Sequence, residues 1–127
     1  MAEIYSLLII DDEPEFLELA RLALEVADFT VLKAENGPEG LKLAKKKKPT
    51  VILLDVTMPE MNGLEVLDKL KKNSKTKNIP VIMLTGKSMM EDVERAFDAG
   101  AIGYITKPIE FCDLAKKVRA KIEKHDE

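Results

Sequence analysis

The chain of 127 residues has one cysteine, one histidine, no tryptophan and a nearly balanced charge. A lone Cys112 cannot close an internal disulfide, so the fold has to rest on its core. The only histidine, His125, lies in the polar tail without an acid-base partner, and no Cys/His cluster suggests zinc. No apolar stretch is long enough to span a membrane and no charged-then-apolar leader opens the sequence, so cytoplasm is the expected location, without membrane insertion. A formal net charge of -3 leaves no general excess of Lys and Arg to neutralise phosphates, which argues against direct nucleic-acid binding. The lysines at 45–48 form a local basic run, and the plain reading is a solvated last helical turn, where cations sit well against the helix dipole.

What is present describes a soluble globular chain, 46% apolar and 34% charged. Its length suits one domain with a core of useful size, so residues 1–127 are expected to form a single domain without an output domain. The central stretch is 51–63. Val51, Ile52, Leu53 and Leu54 are too few for a helix and fit a strand covered on both faces, which delivers Asp55 to its end. Met58-Pro59 then excludes helical geometry at the residue before the proline, and Asn62-Gly63 reads as a turn able to adopt positive φ.

The same rhythm recurs along the chain. Residues 5–10 form an apolar run ending in Asp11, Asp12 and Glu13. Pro14 then opens a helix over 14–27, with Phe16, Leu17, Ala20, Ala23, Leu24 and Ala27 at three- and four-residue spacing. Residues 29–34 read as a second strand, and Pro38 opens a helix with Leu41 and Ala44 inward that stops at Pro49. Leu64, Val66, Leu67 and Leu70 mark a third helix, and residues 80–84 a fourth strand ending at Thr85 and Gly86. Ser88 and Glu91 have the spacing of a capping box for a fourth helix, whose face runs through Val93, Ala96 and Phe97 to a stop at Gly100. Residues 101–106 form a short fifth strand that delivers Lys107-Pro108. The last helix carries Phe111, Leu114, Ala115, Val118 and Ile122, and starts a residue or two after Glu110, a poor cap.

Strand and helix alternating five times predict an α/β fold, a parallel sheet with helices on both faces. All strand carboxyl ends then share one edge, where Asp11, Asp12, Asp55, Thr85 and Lys107 converge. Crowded carboxylates repel, and a divalent cation relieves them; an all-oxygen donor set suits Mg²⁺ or Mn²⁺. With Lys107 as a second cation and Thr85 as a hydroxyl donor, the pocket suits a phosphoryl group attacked by an Asp oxygen. Singly, acids at strand ends are often caps or solvated surface. Their coincidence on one edge is the signal.

Asp11-Asp12, Asp55 followed by Met58-Pro59 and Asn62-Gly63, then Thr85, Tyr104 and Lys107-Pro108, in this order, closely resemble the receiver domain of two-component response regulators. The resemblance spans about residues 5–122. It implies a flavodoxin-like doubly wound (βα)5 fold with strand order 2-1-3-4-5. It also implies that Asp55 accepts a phosphoryl group from the phosphohistidine of a sensor histidine kinase or histidine phosphotransfer protein. Asp12, Asp55 and the Thr57 carbonyl would bind Mg²⁺ directly, Asp11 would act through water, and Lys107 and Thr85 would contact the phosphoryl oxygens. The Lys107-Pro108 bond would be cis. Thr85 and Tyr104 would be the switch that reshapes the surface of the fourth helix, fifth strand and fifth helix for a downstream protein target. Such a chain is a signalling phosphoacceptor rather than a true enzyme, catalysing only its own phosphorylation and dephosphorylation. It is expected to be a monomer, with a phosphorylation-dependent dimer as the alternative.

Other residues carry two readings each. Thr57, Gly86 and Lys87 would tune the phosphoryl lifetime, Lys87 alternatively facing solvent. Tyr104 could be an ordinary half-buried strand aromatic, and Met89-Met90 either an adaptable binding face or core filler. Cys112 reads as a small buried side chain rather than a redox sensor. Two further functions compete. An aspartyl phosphatase of haloacid-dehalogenase type would also set an Asp nucleophile and Mg²⁺ at strand ends, but Met58-Pro59 replaces its Gly-Thr and no cap insertion is present. A flavodoxin-like ligand-binding module would need a Ser-, Thr- and Gly-rich loop after the first strand, where this chain places acids.

Overall fold

The computed structural model describes residues 5–58, 61–86 and 90–126, without the side chains of residues 90–92 and 126. Its elements follow the apolar periodicities in order: β1 Ser6–Ile10, α1 Pro14–Val26, β2 Thr30–Ala34, α2 Gly37–Lys47, β3 Val51–Asp55, α3 Gly63–Lys72, β4 Val81–Thr85, α4 Met90–Asp98, β5 Gly103–Thr106 and α5 Phe111–Asp126. The strands pair in parallel in the order β2-β1-β3-β4-β5. The fold is therefore the doubly wound, flavodoxin-like (βα)5 arrangement with order 2-1-3-4-5.

Strand alternation divides the interior into two layers. Leu8, Ile10, Ile52, Leu54, Val81 and Met83 pack with Ala44, Val66, Leu67, Leu70 and Ala96, on the side of α2, α3 and α4. Leu7, Ile9, Val51, Leu53, Ile82 and Leu84 pack with Leu17, Ala20, Leu24, Leu114, Val118 and Ile122, on the side of α1 and α5. Both faces of β1, β3 and β4 are covered, which is why these strands read as continuous apolar runs. Each fully buried Leu or Ile on them stabilises the fold by about 1.5–3 kcal/mol relative to exposure.

Helix ends follow local chemistry. The Asn36 and Asn62 side chains accept the Glu39 and Glu65 N–H groups at 2.9 and 3.0 Å, capping α2 and α3. Asn62→Ala is expected to cost about 1 kcal/mol, read as a lower urea midpoint with an unchanged slope. Gly100, at φ 108, ends α4, and the Ala101 N–H returns to the Ala96 carbonyl. This wrap delays β5 to Gly103, two residues later than the apolar run suggests. Asp28 plays the same part after α1 at φ 71, with the Phe29 N–H returning to the Leu24 carbonyl.

Several expectations are corrected by the structure. Asn62-Gly63 is no positive-φ turn: Asn62 is an extended cap at φ -74, and Gly63 begins the helix. Gly63 is glycine because an added Cβ would lie 2.2 Å from the Asp55 carbonyl oxygen. Cys112 is exposed rather than buried, because Leu114, Ala115 and Val118 form the inward face of α5. Phe97 is 46% exposed instead of facing the core, while Val93 and Ala96 are buried. α5 continues to Asp126. His125 is exposed, as its polar surroundings suggested. Pro59, Lys87, Ser88 and Met89 lie outside the described residues, and with them part of the loop after β3 and the expected capping box. Among the described residues no helix is long and apolar enough to cross a membrane.

Candidate functional site

Parallel pairing carries the ends of β1, β3, β4 and β5 to one edge. Asp11 and Asp55 fall in the same alternation as Leu7 and Ile9, and Val51 and Leu53. The Asp11 N–H donates to the Ala34 carbonyl at 3.1 Å, extending the β1–β2 ladder past the strand, and Asp11 is fully buried. Asp55 is nearly so. Oxygens of Asp11, Asp12 and Asp55 lie within 4.8 Å of one another.

Each buried acid is oriented by backbone and by one cation. Asp11 Oδ1 accepts the Glu13 N–H at 2.9 Å, and its Oδ2 accepts Lys107 Nζ at 2.7 Å. Asp55 Oδ1 accepts the Thr57 N–H at 3.2 Å, while Lys107 Nζ stands 3.8 Å from Asp55 Oδ2. Lys107 is held from behind: its N–H donates to the Thr85 carbonyl at 2.7 Å, and the peptide to Pro108 is cis. Thr85 is buried at the end of β4, opposite Thr106, and Gly86 follows it exposed.

The electrostatics follow from burial. Desolvation, then the charge of Asp11, pushes the Asp55 carboxyl from its ordinary 3.8 up to about 7, with Lys107 and the Thr57 N–H opposing. Burial also raises the Asp11 carboxyl, against the Lys107 bond. Burial alone would lower the Lys107 ammonium, but its bond to Asp11 and the charges of Asp55, Asp11 and Glu13 outweigh that and hold it above its ordinary value. Three carboxylates facing one ammonium leave an excess negative charge at an all-oxygen site. That donor set fits a hard divalent cation such as Mg²⁺.

Tyr104 stands apart from this cluster. It shares the α4 side of the sheet with Thr85, is 37% exposed, and meets Phe97 edge-on with ring centroids 6.2 Å apart. Lys121 Nζ lies 5.9 Å from its ring centroid. The structure thus brings together Asp11, Asp12, Asp55, Lys107 and the Thr85 backbone, with Thr57 and Gly86 at the rim. Lys87 lies outside the described residues. Two residues of the site were not picked out by sequence reasoning. Glu13 Oε1 stands 3.4 Å from Lys107 Nζ, and the Phe16 ring centroid 4.3 Å from it. Glu13 was visible as a third acid after the pair, whereas Phe16 was absorbed into the helical apolar stripe.

Comparison with known proteins finds relatives in sequence and in fold. A family model described as response regulator receiver domain matches residues 7–119. Protein PilH of Pseudomonas aeruginosa is 40% identical over 114 residues, covering 90% of this chain and 94% of PilH. The DNA-binding dual master transcriptional regulator RpaA of Synechocystis is 37% identical over 120 residues, covering 94% of this chain but 50% of RpaA. The chain therefore spans half the length of that relative. The solved structure of chemotaxis protein CheY4 of Vibrio cholerae matches with a TM-score of 0.87 at 30% identity, over 93% of this chain and 98% of that one.

Proposed function

The chain belongs to the response regulator receiver domain family, and from that premise we propose that Asp55 accepts a phosphoryl group from the phosphohistidine of a sensor kinase or phosphotransfer protein. The observation that carries this reading is the placement of Lys107 between Asp11 and Asp55 at the edge of a three-carboxylate cluster. In the transfer an Asp55 oxygen forms a bond to phosphorus as the bond from phosphorus to the imidazole nitrogen breaks. Asp55 must be ionised to attack, and a group raised to about 7 is only partly so at neutral pH. Lys107 favours the ionised form, and its ammonium also suits the phosphoryl oxygens. Asp12, Asp55 and the Thr57 carbonyl, with Asp11 through water, would hold Mg²⁺. When bound, that ion supplies charge neutralisation for both the carboxylates and the incoming phosphoryl group.

The phosphoryl group adds about -1.5 to -2 of charge and new acceptor oxygens, which can draw in the Thr85 hydroxyl and its loop. Thr85 and Tyr104 lie on the same side of neighbouring strands, so this motion leads to the Phe97–Tyr104 surface, which a partner protein would read. Thr57 and Gly86, exposed at the rim of the site, would tune the phosphoryl lifetime by governing how water approaches, and Lys87, next in sequence after Gly86, would contribute to the same control.

Incubation with acetyl phosphate and Mg²⁺ is expected to add one phosphoryl group per chain by intact mass, mapped to Asp55 by fragmentation. Chelating divalent cations is expected to abolish the adduct. An adduct on another residue, or undiminished labelling without metal, contradicts the reading. Sustained multi-turnover hydrolysis of a phosphate ester would instead favour the phosphatase.

A further inference from the structure

Among the described residues, three carboxylates and one aromatic ring lie close to the Lys107 ammonium, and two of the carboxylates and the ring are on the α1 side of the site. They are Asp11 at 2.7 Å, Glu13 at 3.4 Å and the Phe16 ring centroid at 4.3 Å, against 3.8 Å to Asp55. Glu13 occupies the N-cap of α1, yet its side chain makes no capping bond. Its main chain is fixed instead: the N–H holds Asp11 Oδ1 and the carbonyl accepts the Leu17 N–H at 3.0 Å. The carboxylate, freed from capping, is turned to Lys107. One turn along the helix, Phe16 presents its ring to the same nitrogen and is braced by Phe111 at 5.6 Å.

We infer that Glu13 and Phe16 form a resting cradle that holds Lys107 toward α1, and that this cradle sets how readily Lys107 reaches the phosphoryl group on Asp55. Both are positioning residues acting through Lys107. The inference rests on the role proposed for Lys107 above. Two contacts make the cradle. The carboxylate attracts the ammonium, although Glu13, with a side chain 67% exposed, is screened by water. The ring face attracts the cation and excludes water from one side of it. Asp11 also holds Lys107, at 2.7 Å, but it belongs to the acid cluster around Asp55, whereas Glu13 and Phe16 lie outside that cluster and add a pull away from it that the phosphoryl group has to overcome.

The test uses two readouts. In the metal-free, unphosphorylated chain, the Phe16 ring is expected to shift the Lys107 Hε protons upfield in the proton NMR spectrum. Phe16→Leu should abolish that shift and Glu13→Gln should reduce it. With acetyl phosphate and Mg²⁺, Glu13→Gln is expected to raise the phosphorylation rate constant about two- to five-fold, the worth of one exposed ion pair. The same substitution in a Lys107→Ala background should change the rate far less. An equal rise in both backgrounds overturns the inference, because Glu13 would then merely repel the anionic donor. A Lys107 Hε shift that neither substitution alters overturns it as well. A parent chain that takes no phosphoryl group would sink the reading of Asp55, while the NMR shift would still decide whether the cradle exists.

Discussion

Asp55→Asn is expected to remove all phosphoryl incorporation and, in metal-free buffer above pH 7, to make the folded chain more stable by about 1–3 kcal/mol. Loss of incorporation follows because the amide has no nucleophilic carboxylate oxygen. The gain in stability follows from the raised carboxyl. In the folded chain Asp55 takes up its proton at about 7, whereas unfolded it does so at the ordinary 3.8. Between these values the folded state binds more protons than the unfolded one. Stability from this group is therefore fully present below the unfolded value, falls as pH rises, and is lost once pH passes through the folded value. Asn carries no charge at any of these pH values, so its contribution stays flat. The two unfolding curves should coincide near pH 4 and separate progressively up to about pH 7. The full displacement corresponds to about 4 kcal/mol. Water reaching the rim through the exposed Thr57 and half-exposed Asp12 reduces what is realised.

Mg²⁺ should shrink or reverse this difference, because an ion that binds the folded acid cluster stabilises the parent by mass action and the variant far less. Urea unfolding at pH 4.5, 6 and 8, with and without Mg²⁺, measures all of this. A variant that is less stable than the parent at pH 8 without metal would contradict the buried, mutually repelling arrangement of Asp11 and Asp55.

The same physical distinction separates what was legible in the sequence from what was not. Continuous apolar runs such as 51–54 and three- and four-residue spacing such as Leu17, Ala20 and Leu24 report burial directly, so the strands, helices and parallel layout could be read. Acids at strand ends could be read as one cluster because parallel topology forces those ends together. Contacts that depend on side-chain direction could not. Phe16 has the spacing of a core residue, yet its ring also serves Lys107, which is far from it in sequence. Cys112 and Phe97 lie on helices whose inward stripe is already filled by their neighbours, and residue type alone does not say which side of the stripe they take. Asn62-Gly63 misled for a further reason. The pair has turn chemistry, but its glycine answers a tertiary demand, the close approach of two backbones.

That demand makes Gly63→Ala the most damaging glycine-to-alanine substitution expected among the described residues, at about 3 kcal/mol of stability and about 10 °C in melting temperature. An exposed helical glycine changed to alanine ordinarily gains about 0.5–1 kcal/mol, so the expected sign is the opposite of what helix propensity gives. An added Cβ would meet the Asp55 carbonyl oxygen at 2.2 Å, Val56 Cα at 2.8 Å and the Asp55 carbonyl carbon at 2.9 Å. All three are backbone atoms at the end of β3, so no rotamer change can relieve the clash. The start of α3 must move, breaking the Gly63 N–H to Val56 carbonyl bond of 2.9 Å, or the end of β3 must move and take Asp55 with it. Gly40→Ala is the control. Its Cβ would meet Ile10 Cδ1 at 2.4 Å and Cγ1 at 2.8 Å, but these are side-chain atoms, and a shift of the Ile10 side chain with no backbone movement should hold the loss to about 1–2 kcal/mol. Urea midpoints for the two variants give the comparison, and a Gly63→Ala chain as stable as the parent would refute it. Acetyl phosphate labelling then says which backbone yields. Retained labelling at reduced stability means that α3 has shifted, whereas lost labelling in a still-folded chain means that the strand end carrying Asp55 has given way.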